Sequence, residues 1–309
     1  MNSTIDKRRT GLGGSDIAAI AGVHPYKTAA DVYARMVADV APQFDNARMA
    51  LGRAMETHII TEYCKRHDLD PSTLERNPEI VHPVHKWRRG EPDALHRASR
   101  LGIEAKLVVS PRQYVRWGEV GSDSVPDEYL CQVHWYAALA NTERFVIVAF
   151  IEGDLREYPV ARDTEAEAML FDIGAKFMRD HVEKRVPPPL MGCAPESLRA
   201  IFPANRGPLR EATPREAGRI MAYGSAKNAL DDATARHDRL KAELQAAIND
   251  AEGITSPYGR VTWKNNKPGT ATDWQAVALA LNAPKDLIDK HTVTKPGARV
   301  FRFAPAKEK

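Results

Sequence analysis

The sequence predicts a mixed α/β domain followed by a C-terminal helical extension. Helix-like and strand-like segments alternate through the first half of the chain, as they do in α/β folds. A stiff, proline-rich segment, VPPPLMGCAPE, then occupies 186–196, and a long helical pattern rich in Ala, Lys, Glu and Arg follows it over 214–251. We therefore predict a first domain over 1–190 and a C-terminal extension over 191–309.

Composition indicates a globular, intracellular protein. Of the 309 residues, 43% are hydrophobic and 28% are charged, and no uninterrupted apolar run reaches 18 residues, so membrane-spanning and disordered classes are excluded. The net charge of +3 neither demands nor excludes a polyanionic partner. Three cysteines far apart, Cys64, Cys131 and Cys193, fit reduced thiols, and the N-terminus lacks a secretory signal, so we expect a cytoplasmic location.

Hydrophobic periodicity predicts the individual elements in order. Apolar residues recur at helical spacing, or alternate at strand spacing, in separate segments. Helices are predicted over 28–39, 49–66, 127–140, 164–184, 214–251 and near 273–282, and strands over 101–109, 144–151, 155–160, 259–264 and 298–303. Along the longest helix Leu230, Ala233, His237, Leu240, Leu244, Ala247 and Ala251 recur at alternating spacings of three and four. The alternatives for that helix are an arm, a subunit contact, a dock for another protein, or a helix packed along one face of the first domain.

Two acids and a lysine form the candidate catalytic set. Asp93 follows Pro92, and Glu104 and Lys106 are two residues apart on the strand predicted over 101–109. Alternate strand residues share a face, so Glu104 and Lys106 lie together opposite Ile103. A β-hairpin would bring Asp93 and Glu104 to one divalent cation.

An oxygen-rich pair of carboxylates of this kind is typical of a Mg²⁺ site. Hydrolysis of a phosphodiester needs an activated water and neutralisation of negative charge, both of which a carboxylate-held cation supplies. Lys106 would orient the water and stabilise developing charge. Surface strands also alternate Glu and Lys, so these three residues alone fit a solvated strand equally well.

Further residues favour the catalytic interpretation. Glu56 lies on the apolar side of the helix predicted over 49–66, together with Ile59 and Ile60, and a carboxylate there needs a partner. Gln132 and Tyr136 are four residues apart on the next helix, so they share a face that can approach a phosphate or a metal-bound water. We interpret all three as candidate site residues.

The N-terminal region combines basic residues with a glycine-rich turn. Arg8 and Arg9 precede Gly13, Gly14 and Ser15, which open a predicted helix. Backbone N–H groups at a helix start attract phosphate, and arginine adds a bidentate contact. Ser15 also fits a simple helix-capping role, and the two interpretations are compatible.

Five motifs in order resemble the YqaJ-type viral recombinase family, which is related to lambda exonuclease in the PD-(D/E)xK nuclease superfamily. They are GLGGSDIAAIAGVHPYKT, LGRAMETHIITEY, EPDAL, IEAK and YLCQVHWYAALA, and together they span roughly residues 8 to 160. The resemblance implies a PD-(D/E)xK, restriction-endonuclease-like core with a mixed central sheet flanked by helices. It also implies a Mg²⁺-dependent exonuclease that digests one strand of linear double-stranded DNA from its 5′ end.

The resemblance also assigns the metal site. It implies that Asp93, Glu104 and the backbone carbonyl of Ala105 ligate Mg²⁺, with Mn²⁺ as a substitute, and that Lys106 acts on the attacking water. The enzyme would then be a deoxyribonuclease that releases 5′-mononucleotides.

The remaining site residues are carried over in the same way. Glu56 and Gln132 would organise the site, while Arg8, or Arg9 in its place, and Ser15 would form the pocket for the terminal 5′-phosphate.

One position departs from the family pattern. Glu91 stands directly before Pro92, where lambda exonuclease has a serine that contributes to phosphate binding. A carboxylate repels a phosphate, so Glu91 opposes phosphate binding in this part of the pocket. Ala94 also replaces a common glycine, which is a milder change.

Partners and origin follow from the resemblance as well. It implies a phage or prophage recombination enzyme that leaves 3′ overhangs for a single-strand annealing protein of the RecT/Redβ type. It also suggests a homotrimer that closes into a ring around DNA. Two alternatives remain at this point: a structure-specific or restriction-type endonuclease on the same core, and a catalytically inactive DNA-binding module.

Overall fold

A computed structural model of the chain describes residues 10–38, 47–205, 207–265 and 274–291. By its internal contacts the chain divides into two compact units, Met1–Pro203 and Ala204–Lys309. All the candidate site residues belong to the first unit.

A five-stranded mixed sheet forms the centre of the first unit. Its strands are β1 (Glu75–Arg76), β4 (Ala94–His96), β5 (Leu101–Val108), β6 (Arg144–Ile151) and β7 (Asp154–Ala161). They are arranged in the order β1-β4-β5-β6-β7; β5 and β6 are parallel, and the other neighbours are antiparallel. A separate two-stranded sheet pairs β2 (Ile80–Val81) with β3 (Arg89–Gly90). The predicted mixed sheet is confirmed.

Helices cover both faces of this sheet. In chain order they are α1 (Gly14–Ile20), α2 (Ala29–Val37), α3 (Ala47–Arg66), the short α4 (Pro111–Tyr114), α5 (Asp127–Ala140), α6 (Thr164–Phe177) and α7 (Pro195–Ile201). One core cluster joins α3 to the sheet through Ile59, Ile60 and Ile103. The other lies beneath α5 and includes Trp135 and Ile147. The strand β6 is buried along most of its length because apolar side chains on both of its faces meet a helical layer.

Local signals in the sequence set the ends of several helices. Thr28 and Asp31 form a capping box at the start of α2, and the Asp163 carboxylate accepts two backbone N–H groups at the start of α6. Asn141, with φ of 52°, ends α5 in the left-handed conformation. The predicted helix over 127–140 and the predicted strand over 144–151 are both confirmed to the residue.

Two predicted helices end several residues earlier than predicted. The helix predicted over 164–184 is α-helical only to Phe177 and continues as a π-helical turn, Met178–Glu183. The long helix predicted over 214–251 ends at Ile248, because Asn249 takes φ of 48° and leaves the helical conformation, so Ala251 is outside the helix. The strand predicted over 298–303 lies outside the described residues.

The second unit contains the long helix α8 (Pro214–Ile248) and a hairpin of β8 (Gly253–Ser256) with β9 (Gly259–Thr262). Two short helices follow, α9 (Trp274–Ala280) and α10 (Lys285–His291). Within the described ranges, every helix is too short or too polar to span a bilayer.

Candidate active site

The β4–β5 hairpin brings the two predicted carboxylates together. Asp93 immediately precedes β4, whose first residue, Ala94, lies opposite Ile103 of β5. Oδ2 of Asp93 accepts a hydrogen bond of 2.7 Å from the backbone N–H of Ala105. Asp93 is therefore fixed beside Glu104, which is only 2% exposed. The convergence predicted from the hairpin is observed.

Strand alternation sends the site residues of β5 toward α5. Ile103 packs in the core beneath α3, whereas Glu104 and Lys106 contact side chains of α5. Nζ of Lys106 donates to Oε1 of Glu104 at 2.6 Å and to Oε1 of Gln132 at 3.2 Å. The solvated-strand alternative is thereby excluded, because Glu104 is buried and Lys106 points into the protein.

Gln132 links the carboxylate to the adjacent tyrosine. Its Nε2 donates to Oε1 of Glu104 at 2.7 Å and to the hydroxyl oxygen of Tyr136 at 3.2 Å. The amide group therefore holds Glu104 from the α5 side while its oxygen accepts from Lys106. Gln132 and Tyr136 share one face of α5, as their spacing predicted.

Charge and burial strongly perturb the pKa values of the site. Burial, and next the negative charge of Glu104, raise the pKa of Asp93 well above its ordinary value. Burial alone would lower the pKa of Lys106, but the charges of Glu104 and Asp93 outweigh it and raise that pKa. Burial and the charge of Glu104 raise the pKa of Tyr136. The site thus holds two repelling carboxylates close to one persistent ammonium group.

Glu56 approaches the site from the other helical layer. Its Oε1 lies 3.5 Å from Nη2 of Arg76, and its charge contributes to the raised pKa of Asp93. Arg76 is the partner that a carboxylate on this side of α3 was expected to need. Arg76 also donates to the backbone oxygen of Asp93 at 3.2 Å, so it ties the helix to the hairpin.

The donor set fits a hard divalent cation. Oε2 of Glu104 is buried and has no hydrogen-bonding partner among the described residues. This oxygen is therefore available to ligate a cation. A second carboxylate, that of Asp93, stands beside it. No three His, Cys, Asp or Glu side chains in the described ranges form a complete cage. Two carboxylates supplemented by backbone oxygen and water suit Mg²⁺, which retains several waters.

Residue Tyr129 was not anticipated from the sequence. Nζ of Lys106 lies 4.8 Å from the centroid of the Tyr129 ring, a cation–π contact that confines the ammonium group. Tyr129 precedes Gln132 by three residues on α5, so helical spacing would have placed it on the same face.

The N-terminal candidates are only partly described. Arg8 and Arg9 lie outside the described residues. Ser15 is exposed on the first turn of α1, and it does not cap the helix, because the capping residue is Gly13. The Asp16 carboxylate accepts the N–H of Gly13 at 2.9 Å. Glu91, the position that departs from the family pattern, is exposed.

Asp16 anchors this N-terminal segment. It pairs with Lys27 at 2.5 Å and with Arg35 at 2.8 Å. Burial alone would raise its pKa, but these two cations and the Gly13 N–H lower that pKa below its ordinary value.

A hairpin with Asp93, Glu104 and Lys106, set in a mixed sheet flanked by helices, is the arrangement expected of a PD-(D/E)xK core. Residues 5–143 also match the family model of the YqaJ-like viral recombinase domain. This match confirms the resemblance seen in the order of the motifs.

Individual proteins are similar to this chain to differing extents. The protein YqaJ of Bacillus subtilis (strain 168) is 23% identical over 267 residues, which cover 84% of this chain and 81% of that protein. The crystal structure of an alkaline exonuclease, LHK-Exo, from Laribacter hongkongensis has a TM-score of 0.49 at 17% identity and covers 60% of this chain and 94% of its own. A phage related exonuclease from Haemophilus somnus 129PT has a TM-score of 0.40 at 14% identity and covers 57% of this chain and 96% of its own.

Proposed function

We propose that this protein is a deoxyribonuclease that hydrolyses DNA phosphodiesters with the help of Mg²⁺, for which Mn²⁺ substitutes. The observation that carries the proposal is the set of Asp93, Glu104 and Lys106 at the β4–β5 hairpin, in which Glu104 is buried and the other two residues are half-buried. Holding two neighbouring carboxylates largely out of water costs stability unless they serve a ligand, and perturbed groups of this kind cluster at functional sites. The match of residues 5–143 to the model of a viral recombinase family makes DNA the expected substrate.

Each residue of the set has a role that follows from its contacts. Asp93, Glu104 and the Ala105 carbonyl would hold the cation, which when bound would neutralise phosphate charge and lower the pKa of a water. Lys106 remains an ammonium group and donates hydrogen bonds toward the attacking water or a phosphate oxygen. Gln132 fixes the orientation of Glu104 by hydrogen bonding.

Within this class, we propose an exonuclease that digests linear duplex from the 5′ end and releases 5′-mononucleotides. The 3′ overhang left behind would be the substrate of a RecT/Redβ-type annealing protein. The viral recombinase family model that residues 5–143 match supports a role in recombination. The close approach of Gly14 in α1 to Gln132 and Tyr136 supports a phosphate pocket that adjoins the site, because Ser15 is the next residue of α1. Arg8 or Arg9 would complete the pocket, and three copies would form a ring around DNA.

The decisive experiment compares three substrates in Mg²⁺. We expect the protein to release label from a 5′-labelled linear duplex at once, to release it late from a 3′-labelled duplex, and to leave a closed circle intact. Cleavage of the circle would instead identify an endonuclease. Absence of any cleavage, together with DNA binding that persists in Asp93→Ala, would identify a binding module and overturn the proposal.

A second comparison tests the phosphate pocket. A linear duplex with a 5′-hydroxyl end should be digested more slowly than one with a 5′-phosphate, and Arg8→Ala or Ser15→Ala should abolish the difference. Equal rates of wild-type digestion on both ends would show that Glu91 or another feature prevents selection of the phosphate.

A further inference from the structure

The long helix α8 carries an exposed apolar seam. Leu230, Leu240 and Leu244 are 65%, 49% and 39% exposed. Within the helix, six residues alternate at spacings of three and four, namely Leu230, Ala233, His237, Leu240, Leu244 and Ala247. A seam with this spacing is typical of a helix that pairs with another helix in a coiled coil.

We propose that α8 pairs in antiparallel orientation with α8 of a second copy of this chain. In the register that we infer, Leu230 faces the second copy's Ala247, and Ala233 faces its Leu244. Each of these two facing pairs combines one large and one small side chain, so the side chains of the two seams interdigitate. A parallel pair in register would instead oppose Ala233 to Ala233 and Leu244 to Leu244, which leaves voids beside crowded layers.

Charges beside the seam select this orientation. Arg236 and Glu243 occupy equivalent flanking positions one heptad apart, and within the described ranges neither has an ion-pair partner. In the antiparallel register each Arg236 meets the second copy's Glu243, and twofold symmetry repeats the contact. A parallel pair would bring Arg236 against Lys241 instead.

The same charges select one register among the antiparallel alternatives. Moving one helix by a heptad in one direction would bring Arg236 against its own symmetry mate. Moving it by a heptad in the other direction would bring Glu243 against its symmetry mate. Both shifts replace two attractive contacts with a repulsive one near the twofold axis.

The overall charge of α8 favours this occupant over DNA. The helix has six basic and five acidic side chains, so it presents no basic stripe to a polyanion. Its surface is instead self-complementary, as a twofold contact requires. This inference does not depend on the proposed nuclease activity. If three copies of the first unit form a ring, the paired α8 helices join two such rings. If no ring forms, they join two chains.

The experiment measures the mass of the full chain by light scattering over a range of concentrations. We expect Leu240→Glu and Leu244→Glu each to halve the mass of the wild-type assembly, because a buried carboxylate breaks the seam. Ala242→Glu, on the outward side of the same helix, is the matched control and should leave the mass unchanged. A wild-type mass equal to that of Leu240→Glu at every concentration would overturn the proposal.

A charge exchange tests orientation without disturbing the seam. Arg236→Glu and Glu243→Arg should each weaken association roughly tenfold, and the double variant should restore it, because the ion pairs re-form with reversed polarity. Tighter association of Arg236→Glu would indicate a parallel pair and overturn the antiparallel assignment. Circular dichroism of each variant confirms that α8 remains helical.

Discussion

The backbone N–H of Ala105 donates to the Asp93 carboxylate at 2.7 Å, which ties the loop before β4 to the middle of β5. This bond has a structural and a functional consequence. It fixes the hairpin, and it also holds Asp93 close to Glu104 even though the two carboxylates repel each other. The protein therefore maintains an electrostatically unfavourable pair through backbone geometry, as expected of a site built for a cation.

Replacing Asp93 with asparagine should separate these two consequences. The side-chain oxygen of Asp93→Asn can still accept the Ala105 N–H, but the negative charge is gone. We expect Mg²⁺-dependent nucleotide release to fall roughly 10³-fold, since several kcal/mol of charge stabilisation depend on the bound cation. We also expect the metal-free variant to melt about 2–4 °C higher, because relief of the repulsion contributes about 1 kcal/mol.

Nuclease assays in Mg²⁺ measure the loss of activity of this variant, and calorimetry in EDTA measures the melting temperature of its metal-free form. Asp93→Ala is the comparison, because it removes both the charge and the acceptor for Ala105. An asparagine variant that melts lower than the wild type would contradict the view that the carboxylate pair is strained.

Tyr129 should support activity through its ring and not through its hydroxyl. The Lys106 ammonium lies 4.8 Å from the ring centroid. Tyr129→Leu removes the cation–π contact, worth about 0.5–2 kcal/mol, so kcat should fall roughly 2- to 30-fold. Tyr129→Phe keeps the ring and should retain most of the wild-type kcat. Steady-state kinetics on linear duplex check this, and equal losses in both variants would show that the hydroxyl matters instead.

Predictions from the sequence were most successful where the signal was local. The apolar run of β6 and the helix ending at Asn141 were predicted to the residue, because periodicity and a left-handed residue act within one segment. Pairing of Asp93 with Glu104 was also predictable, since a hairpin connects neighbouring parts of the chain.

Contacts between distant segments could not be predicted in the same way. The packing of α1 on α5, and the contact of Tyr129 with Lys106, depend on the docking of separate elements. Asp16 illustrates the difficulty. The hydrogen bond that its carboxylate accepts from the Gly13 N–H is local, but its ion-pair partners Lys27 and Arg35 lie outside α1. The role of each site residue remains a prediction.

Close approach of α1 to α5 predicts that Gly14 cannot accept a side chain. A Cβ at this position would lie 2.7 Å from Cγ of Gln132 and 3.0 Å from the ring of Tyr136. Gly14→Ala should therefore displace Gln132 from Glu104, lower nucleotide release, and cost about 1–3 kcal/mol of unfolding free energy. Gly52→Ala is the matched control, because no atom lies within 4 Å of its Cβ.

The control should have the opposite effect on stability. Gly52 lies within α3, where alanine is a better helix former by about 0.5–1 kcal/mol. Urea unfolding of both variants, beside the nuclease assay, checks the pair. If Gly14→Ala keeps full activity and stability, the contact between α1 and the site is looser than the structure indicates.

The ion pairs of Asp16 predict a pH-dependent contribution to stability. Because Lys27, Arg35 and the Gly13 N–H lower the pKa of Asp16, the folded state prefers its charged form. That stabilisation is fully present above the unfolded-state pKa of about 3.9 and is lost as the pH falls through the lower, folded-state pKa. Asp16→Asn should cost about 1–3 kcal/mol at pH 7, and its deficit relative to the wild type should shrink below about pH 4. Urea unfolding of both proteins at pH 7, 5 and 3 measures the deficit, and a deficit that does not change with pH would show that packing, not charge, stabilises the segment.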